Sequence, residues 1–239
     1  MLRFIKLLIN NLKKIKHSFD KNVIFSIGEN CLADNILERN NLKSFSSPYS
    51  SSRSNIEYIL AFEQEKFRDF LNPNYLKYDF ILGKKVVINQ KYVKTENIYN
   101  NSVINGFEFT HHDVYKAIQK HIIYKRTERQ LLLKNKNIIM LYHHRISPAT
   151  NLNLLISHLQ NLAEIYKSRK NNVNIFLFTQ EICKNEQSRG VKKYNRGDIH
   201  FYNFFTKESW EGANEKVFWA YTDDDLLKEM VNDIRKKLI

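Results

Sequence analysis

The sequence predicts an α/β fold, a three-layer sandwich around a mostly parallel central sheet, with an amphipathic helix in front of it. Three observations carry that prediction. Short apolar runs rich in β-branched and aromatic residues recur at 23–27, 137–142, 173–178 and 199–204. Their near-continuous apolar character suits strands buried on both faces, the mark of parallel pairing. Segments of helical period lie between and after these runs, as a β–α–β rhythm requires.

The first stretch, residues 1–21, places Leu2, Ile5, Leu8, Ile9, Leu12, Ile15 and Phe19 at helical spacing with lysines between them. This predicts an amphipathic basic helix, suited to lying on an anionic membrane. It carries too many Lys and Asn residues to span a bilayer, and no small-residue cleavage site follows it. Residues 22–239 then read as one α/β domain. Its first strand runs into Gly28-Glu29-Asn30-Cys31 and a helix over 31–39.

A serine-dense loop covers 42–55, where Ser54 or Asn55 would cap a helix starting near Ile56. Two short strands, 78–80 and 86–88, flank Gly83-Lys84 as a hairpin. Thr110 or Asp113 would open a helix carrying Arg126 and Arg129. Further helices are predicted over 151–167 and 223–238, and the residues between 178 and 197 read as polar loop.

The formal charge of +13 points to a negatively charged partner, and two distant cysteines make no disulfide framework, favouring a reducing compartment. Nucleic-acid binding is disfavoured, since the aromatic residues sit inside strands rather than among exposed cations. Adjacent histidines, at 111–112 and 143–144, are a poor chelating spacing, so neither a metal nor another cofactor is expected.

In open α/β sheets ligands bind beyond the carboxyl ends of the strands. The groups there are Gly28, Asn30 and Cys31, then His143, His144 and Arg145, then Thr179, Gln180 and Glu181. A thiol at a helix N-terminus is a candidate nucleophile with a lowered pKa. His111, His112, His143 and His144 are the candidate bases. Gly28, Asn30, Arg53, Arg129, His143 and Arg145 are the expected substrate contacts. The competing expectation is a non-catalytic cleft that holds a phosphate or nucleotide-sugar.

The run 26–31, the segment Leu42 to Tyr49, Arg53-Ser54-Asn55-Ile56, and Phe109-Thr110-His111-His112-Asp113 with Arg129 resemble a bacterial family catalogued as papain-like cysteine peptidases. The resemblance implies Cys31 as nucleophile and His112 or His111 as base. That family is often met among genes for surface polysaccharides, which implies a cell-envelope glycan or glycolipid precursor as substrate. Hydrolysis and acyl transfer from a donor are both compatible with it, at the cytoplasmic face of the membrane. Many relatives carry Phe-Asp-Trp after the proline, where this chain has Tyr49-Ser50-Ser51. A papain fold sets its nucleophile against an antiparallel barrel, so a parallel sheet favours the cysteine–histidine chemistry over the peptidase label.

Overall fold

The computed structural model describes residues 21–81, 83–91, 106–212 and 218–238. The expected N-terminal helix falls on residues 1–20, outside this set. The larger of two sheets has five strands, in the order β1 (Asn22–Ser26), β5 (Asn137–His143), β6 (Asn172–Ile182), β8 (Ile199–Thr206) and β7 (Gly190–Arg196). The first four are parallel, as their apolar runs predict, with Val23 opposite Ile138, Met140 opposite Ile175 and Phe178 opposite Tyr202. β7 returns antiparallel on β8 and corrects the expectation of a polar loop. It escapes a pattern-based reading because most of its side chains face water and three of its seven residues are Lys or Arg.

The smaller sheet is antiparallel: β2 (Leu76–Ile81), β3 (Lys84–Asn89) and β4 (Phe107–Phe109). The first two are the predicted hairpin, with Tyr78 opposite Val87. Gly106 enters β4 at φ +126°, and a Cβ there would run into the Asn89 carbonyl, so glycine lets β4 lie against β3.

Among the described residues five α-helices accompany the strands: α1 (Leu32–Arg39), α2 (Ile56–Gln64), α3 (Ala117–Leu131), α4 (Leu152–Lys167) and α5 (Asp224–Lys236). Asn55 caps α2, accepting from the Tyr58 amide at 2.9 Å, and Asn151 caps α4 through Leu154 at 3.0 Å. α3 starts at Ala117, later than expected, because residues 110–116 form turns. There the Asp113 amide donates to Gln119 Oε1 and the Lys116 amide to the Asp113 carbonyl.

Alternate residues of the central strands enter two apolar clusters. Phe25, Met140 and Ile175 pack with Ile59 of α2 and Leu159 of α4. Ile24, Ile139 and Phe176 pack with Ile36 of α1 and Met230 of α5. Each such fully buried side chain contributes about 1.5–3 kcal/mol. No described helix is long and apolar enough to cross a membrane.

The serine-dense loop is not solvated. Ser47, Ser50, Ser52 and Ser54 are all buried, since the Asp34 carboxylate collects hydroxyls from Ser50 (2.8 Å) and Ser26 (2.6 Å) and the Lys43 ammonium (2.7 Å). Ser44 pairs with the outer edge of β1, donating its amide to the Ile24 carbonyl (2.8 Å) and accepting the Ile24 amide at Oγ (2.9 Å).

Candidate active site

The carboxyl ends of β1, β5 and β6 open onto a cleft of about 770 Å³, lined by Asn30, Arg53, His143, Arg145, Glu181 and Trp219 among others. Four expected substrate contacts therefore share one cavity. Its geometry starts at the turn after β1. Glu29 is fully buried there and holds the turn after β5, accepting from the Arg145 amide and from Arg145 Nε, both at 2.7 Å. Burial drives the Glu29 pKa up, and the Arg145 guanidinium pulls against it. Arg53 bridges to Glu108 of β4 by two backbone hydrogen bonds and one ion pair of 3.2 Å. The smaller sheet is thereby tied to the rim of the cleft.

Asn30 is the pivot. Its Oδ1 accepts from the Leu32 amide in the first turn of α1 (3.0 Å) and lies 3.2 Å from His143 Nδ1. Cys31 follows it, half-buried, as the N-cap residue of α1, and its side chain makes no capping hydrogen bond. A thiol thus stands at a helix N-terminus one residue after the cleft-lining Asn30, in the run the sequence singled out, while Cys31 itself is not among the residues that line the cleft.

A family model described as "Putative papain-like cysteine peptidase" matches residues 22–181, a stretch that includes Cys31, both His111-His112 and His143-His144, and the sheet as far as β6. The chain belongs to this family. No curated protein and no solved structure matches it. Family membership supports a cysteine hydrolase at the coarse level.

The electrostatics of Cys31 differ from the expectation. Burial first, then the Asp34 and Glu108 carboxylates, push the Cys31 thiol up to about 11, and Lys43 only partly opposes them. The helix N-terminus on its own would favour a thiolate. Asp34 lies in that same first turn and cancels the advantage. At pH 7 roughly one thiol in ten thousand is ionised with such a pKa. Alkylation by iodoacetamide, measured in a Cys183→Ser background, is therefore expected to be slow at pH 7 and to climb steadily past pH 9. A reactivity plateau below pH 8 would show an activated thiolate instead.

His112 is neutral at physiological pH, brought down to about 4 by burial and by the neighbouring Arg126 and His111 charges. His111 and His112 line a separate cavity of about 250 Å³ with Tyr78, Lys85 and Gln119. They are linked to the cysteine side through charge. Arg126, which acts on His112, donates to the Ser50 carbonyl (3.3 Å), while the Ser50 hydroxyl donates to Asp34, whose charge acts on Cys31.

Two expected contacts lie elsewhere. Arg129 stacks over Phe45, 5.2 Å from its ring, in a cavity of about 320 Å³ with Asn22 and Val23 at the amino end of β1, the opposite edge of the sheet. Its place near the end of α3 carries it away from the cleft. Gly28 is buried behind Asn30, and a Cβ there would meet the His143 amide at an ordinary 3.7 Å, so it is packing rather than cleft wall. Reading the sequence missed Glu29, Asp34 and Glu108, the carboxylates that govern the site. Glu29 alone had a signal, an acid set inside the Gly-x-Asn-Cys turn. No group of three or more His, Cys, Asp or Glu among the described residues is placed to hold a metal ion.

Proposed function

We propose that the chain is a cysteine-dependent hydrolase or acyltransferase whose nucleophile is Cys31 and whose substrate enters the cleft beside it. The observation that carries this is the position of Cys31, at the N-terminus of α1 and next to Asn30 in the cleft wall. Because the thiol rests protonated and His112 rests neutral, the pair fits general-base catalysis rather than a preformed thiolate–imidazolium pair. Sulfur attacks an acyl carbon as its proton passes to a base, His112 being the one the family resemblance names although it lines a separate cavity. The protonated imidazole then gives that proton to the leaving group, and water or an acceptor hydroxyl resolves the thioester. A cell-envelope glycan or its precursor as the acyl-bearing or acyl-accepting molecule is part of this proposal. The decisive experiment compares wild type with Cys31→Ala and His112→Ala on an activated acyl ester.

An anionic membrane as the working surface has a described feature in its favour. α3 turns Ile118 and Ile122 outward, with Leu132 just beyond it, and Ile118 and Leu132 are each 79% exposed. From 115 to 136 the chain carries seven Lys or Arg and one acid, and apolar side chains among cations are the pattern of an interfacial helix. Co-sedimentation of the full chain with phosphatidylcholine vesicles containing phosphatidylglycerol is expected to fall several-fold for Ile118→Ser/Ile122→Ser. Unchanged binding would take α3 out of the contact.

A further inference from the structure

We infer that His143, a residue of the cleft wall, offers a buried hydrogen-bond acceptor at Nε2, and that the part of the ligand it meets is a neutral hydroxyl group rather than a phosphate or carboxylate. The inference rests on the cleft being the substrate site and deepens that proposal by naming a substrate class.

The tautomer follows from the partners. The Leu32 amide can only donate, so the Asn30 atom it meets must be the oxygen, not the nitrogen. That same oxygen faces His143 Nδ1 at 3.2 Å, so Nδ1 carries the hydrogen. A neutral imidazole protonated at Nδ1 has a bare lone pair at Nε2. His143 is 1% exposed, stacks on Phe178 with ring centroids 4.8 Å apart, and lines the cleft. Its Nε2 has no hydrogen-bond partner.

A buried acceptor of this kind carries a desolvation cost that a donor on a ligand recovers. Its ring stays neutral, since burial and the nearby Arg145 charge hold the imidazole well below its usual range. A hydroxyl can donate to the lone pair, whereas a phosphate or carboxylate oxygen would meet it lone pair to lone pair.

The charges around the cleft agree. Arg145 is held to Glu29 at 2.7 Å and Arg53 to Glu108 at 3.2 Å, and Glu181 and Glu211 also line the wall. The cavity therefore has little net positive charge with which to hold an anion. Trp219 adds a flat aromatic ring to the wall. The non-catalytic phosphate or nucleotide-sugar reading loses its main support here.

The test uses the full chain labelled with ¹⁵N-histidine. Two-bond correlation spectra of wild type are expected to show His143 with a hydrogen on Nδ1 and none on Nε2, unchanged from pH 5 to 8. Asn30→Ala is expected to release that lock and shift the tautomer signals of His143. Titration with a panel of methyl glycosides and glycerol should move the Nε2 resonance in wild type, and inorganic phosphate should not. A hydrogen found on Nε2, a response to phosphate, or silence across the whole neutral panel would each overturn the inference. These readouts involve no turnover, so they stand apart from the Cys31 experiment. Loss of the hydrolase proposal would leave the tautomer result standing, and the reverse holds equally.

Discussion

Cys31→Ala is expected to lower turnover of an activated ester such as p-nitrophenyl acetate by on the order of a thousandfold or more, the usual scale for deleting a covalent nucleophile. The substitution removes one sulfur from a half-buried N-cap position that makes no side-chain capping bond, so the fold should survive it. A matched thermal melt of the variant checks that point. Cys31→Ser is the sharper control. A hydroxyl is a poorer nucleophile than a thiol, so residual activity should stay near that of Cys31→Ala. His112→Ala should lose less, on the order of a hundredfold, because it removes the proton acceptor and leaves the nucleophile in place. Full activity in a well-folded Cys31→Ala would end the hydrolase reading and return the cleft to a binding role.

Glu63→Leu should cost about 3–5 kcal/mol of stability, because it strips a buried polar hub of its acceptor. Glu63 lies fully buried in α2 and accepts from Tyr166 Oη (2.6 Å), Tyr49 Oη (3.2 Å) and Gln130 Nε2 (3.3 Å), with Arg169 at 3.4 Å. Leucine matches the volume and leaves the Tyr166 and Tyr49 hydroxyls without that acceptor, while Gln130 keeps its bond to Tyr166 Oη. Glu63→Gln keeps an acceptor oxygen and should cost far less.

The pH dependence separates the two substitutions further. Burial raises the Glu63 pKa above 4.5, so the folded state holds the proton more tightly than the unfolded chain does. The resulting stability is fully present below pH 4.5 and is lost as pH rises through the folded-state value. Urea melts of wild type and Glu63→Gln should therefore diverge upward from pH 4.5, with wild type losing ground to the glutamine variant. Parallel curves would mean that Glu63 titrates alike in the folded and unfolded states.

Much of this architecture was legible because burial on both faces leaves a plain record. Val23 to Phe25 and Ile138 to Tyr142 are apolar without interruption, as strands buried on both faces require. Asn55 and Asn151 announced their helices by residue type. β7 left no such record: Tyr194 is 58% exposed, and Lys192 and Lys193 also face water. β4 is three residues long, too short for any period to show.

The cleft was half legible. Strand ends fixed Asn30, His143 and Arg145 in one place, because parallel strands deliver their carboxyl ends to one edge. Distance along the chain then misled. Arg129 sits one helix from His112 in sequence yet faces the other edge of the sheet. The ionisation of Cys31 was illegible for a related reason. It depends first on burial and then on Asp34 and Glu108, and no spacing in the sequence predicts the Arg53 bridge that ties Glu108 to this loop.

The two borders of the five-stranded sheet bear on how copies of the protein behave when crowded together. An open strand border is a template on which another chain can zip itself. On the β1 side Ser44 already occupies the hydrogen-bonding groups of Ile24, so that border is closed by the chain itself. Among the described residues the β7 side is guarded by charge, through Lys192 and Arg196, while Lys193 is paired with Glu229 and Asp233. Mutual repulsion of that kind reaches about 10 Å at 0.1 M salt and about 3 Å at 1 M. Colloidal stability is thus steric at one flank and ionic at the other, and concentrated salt weakens only the second.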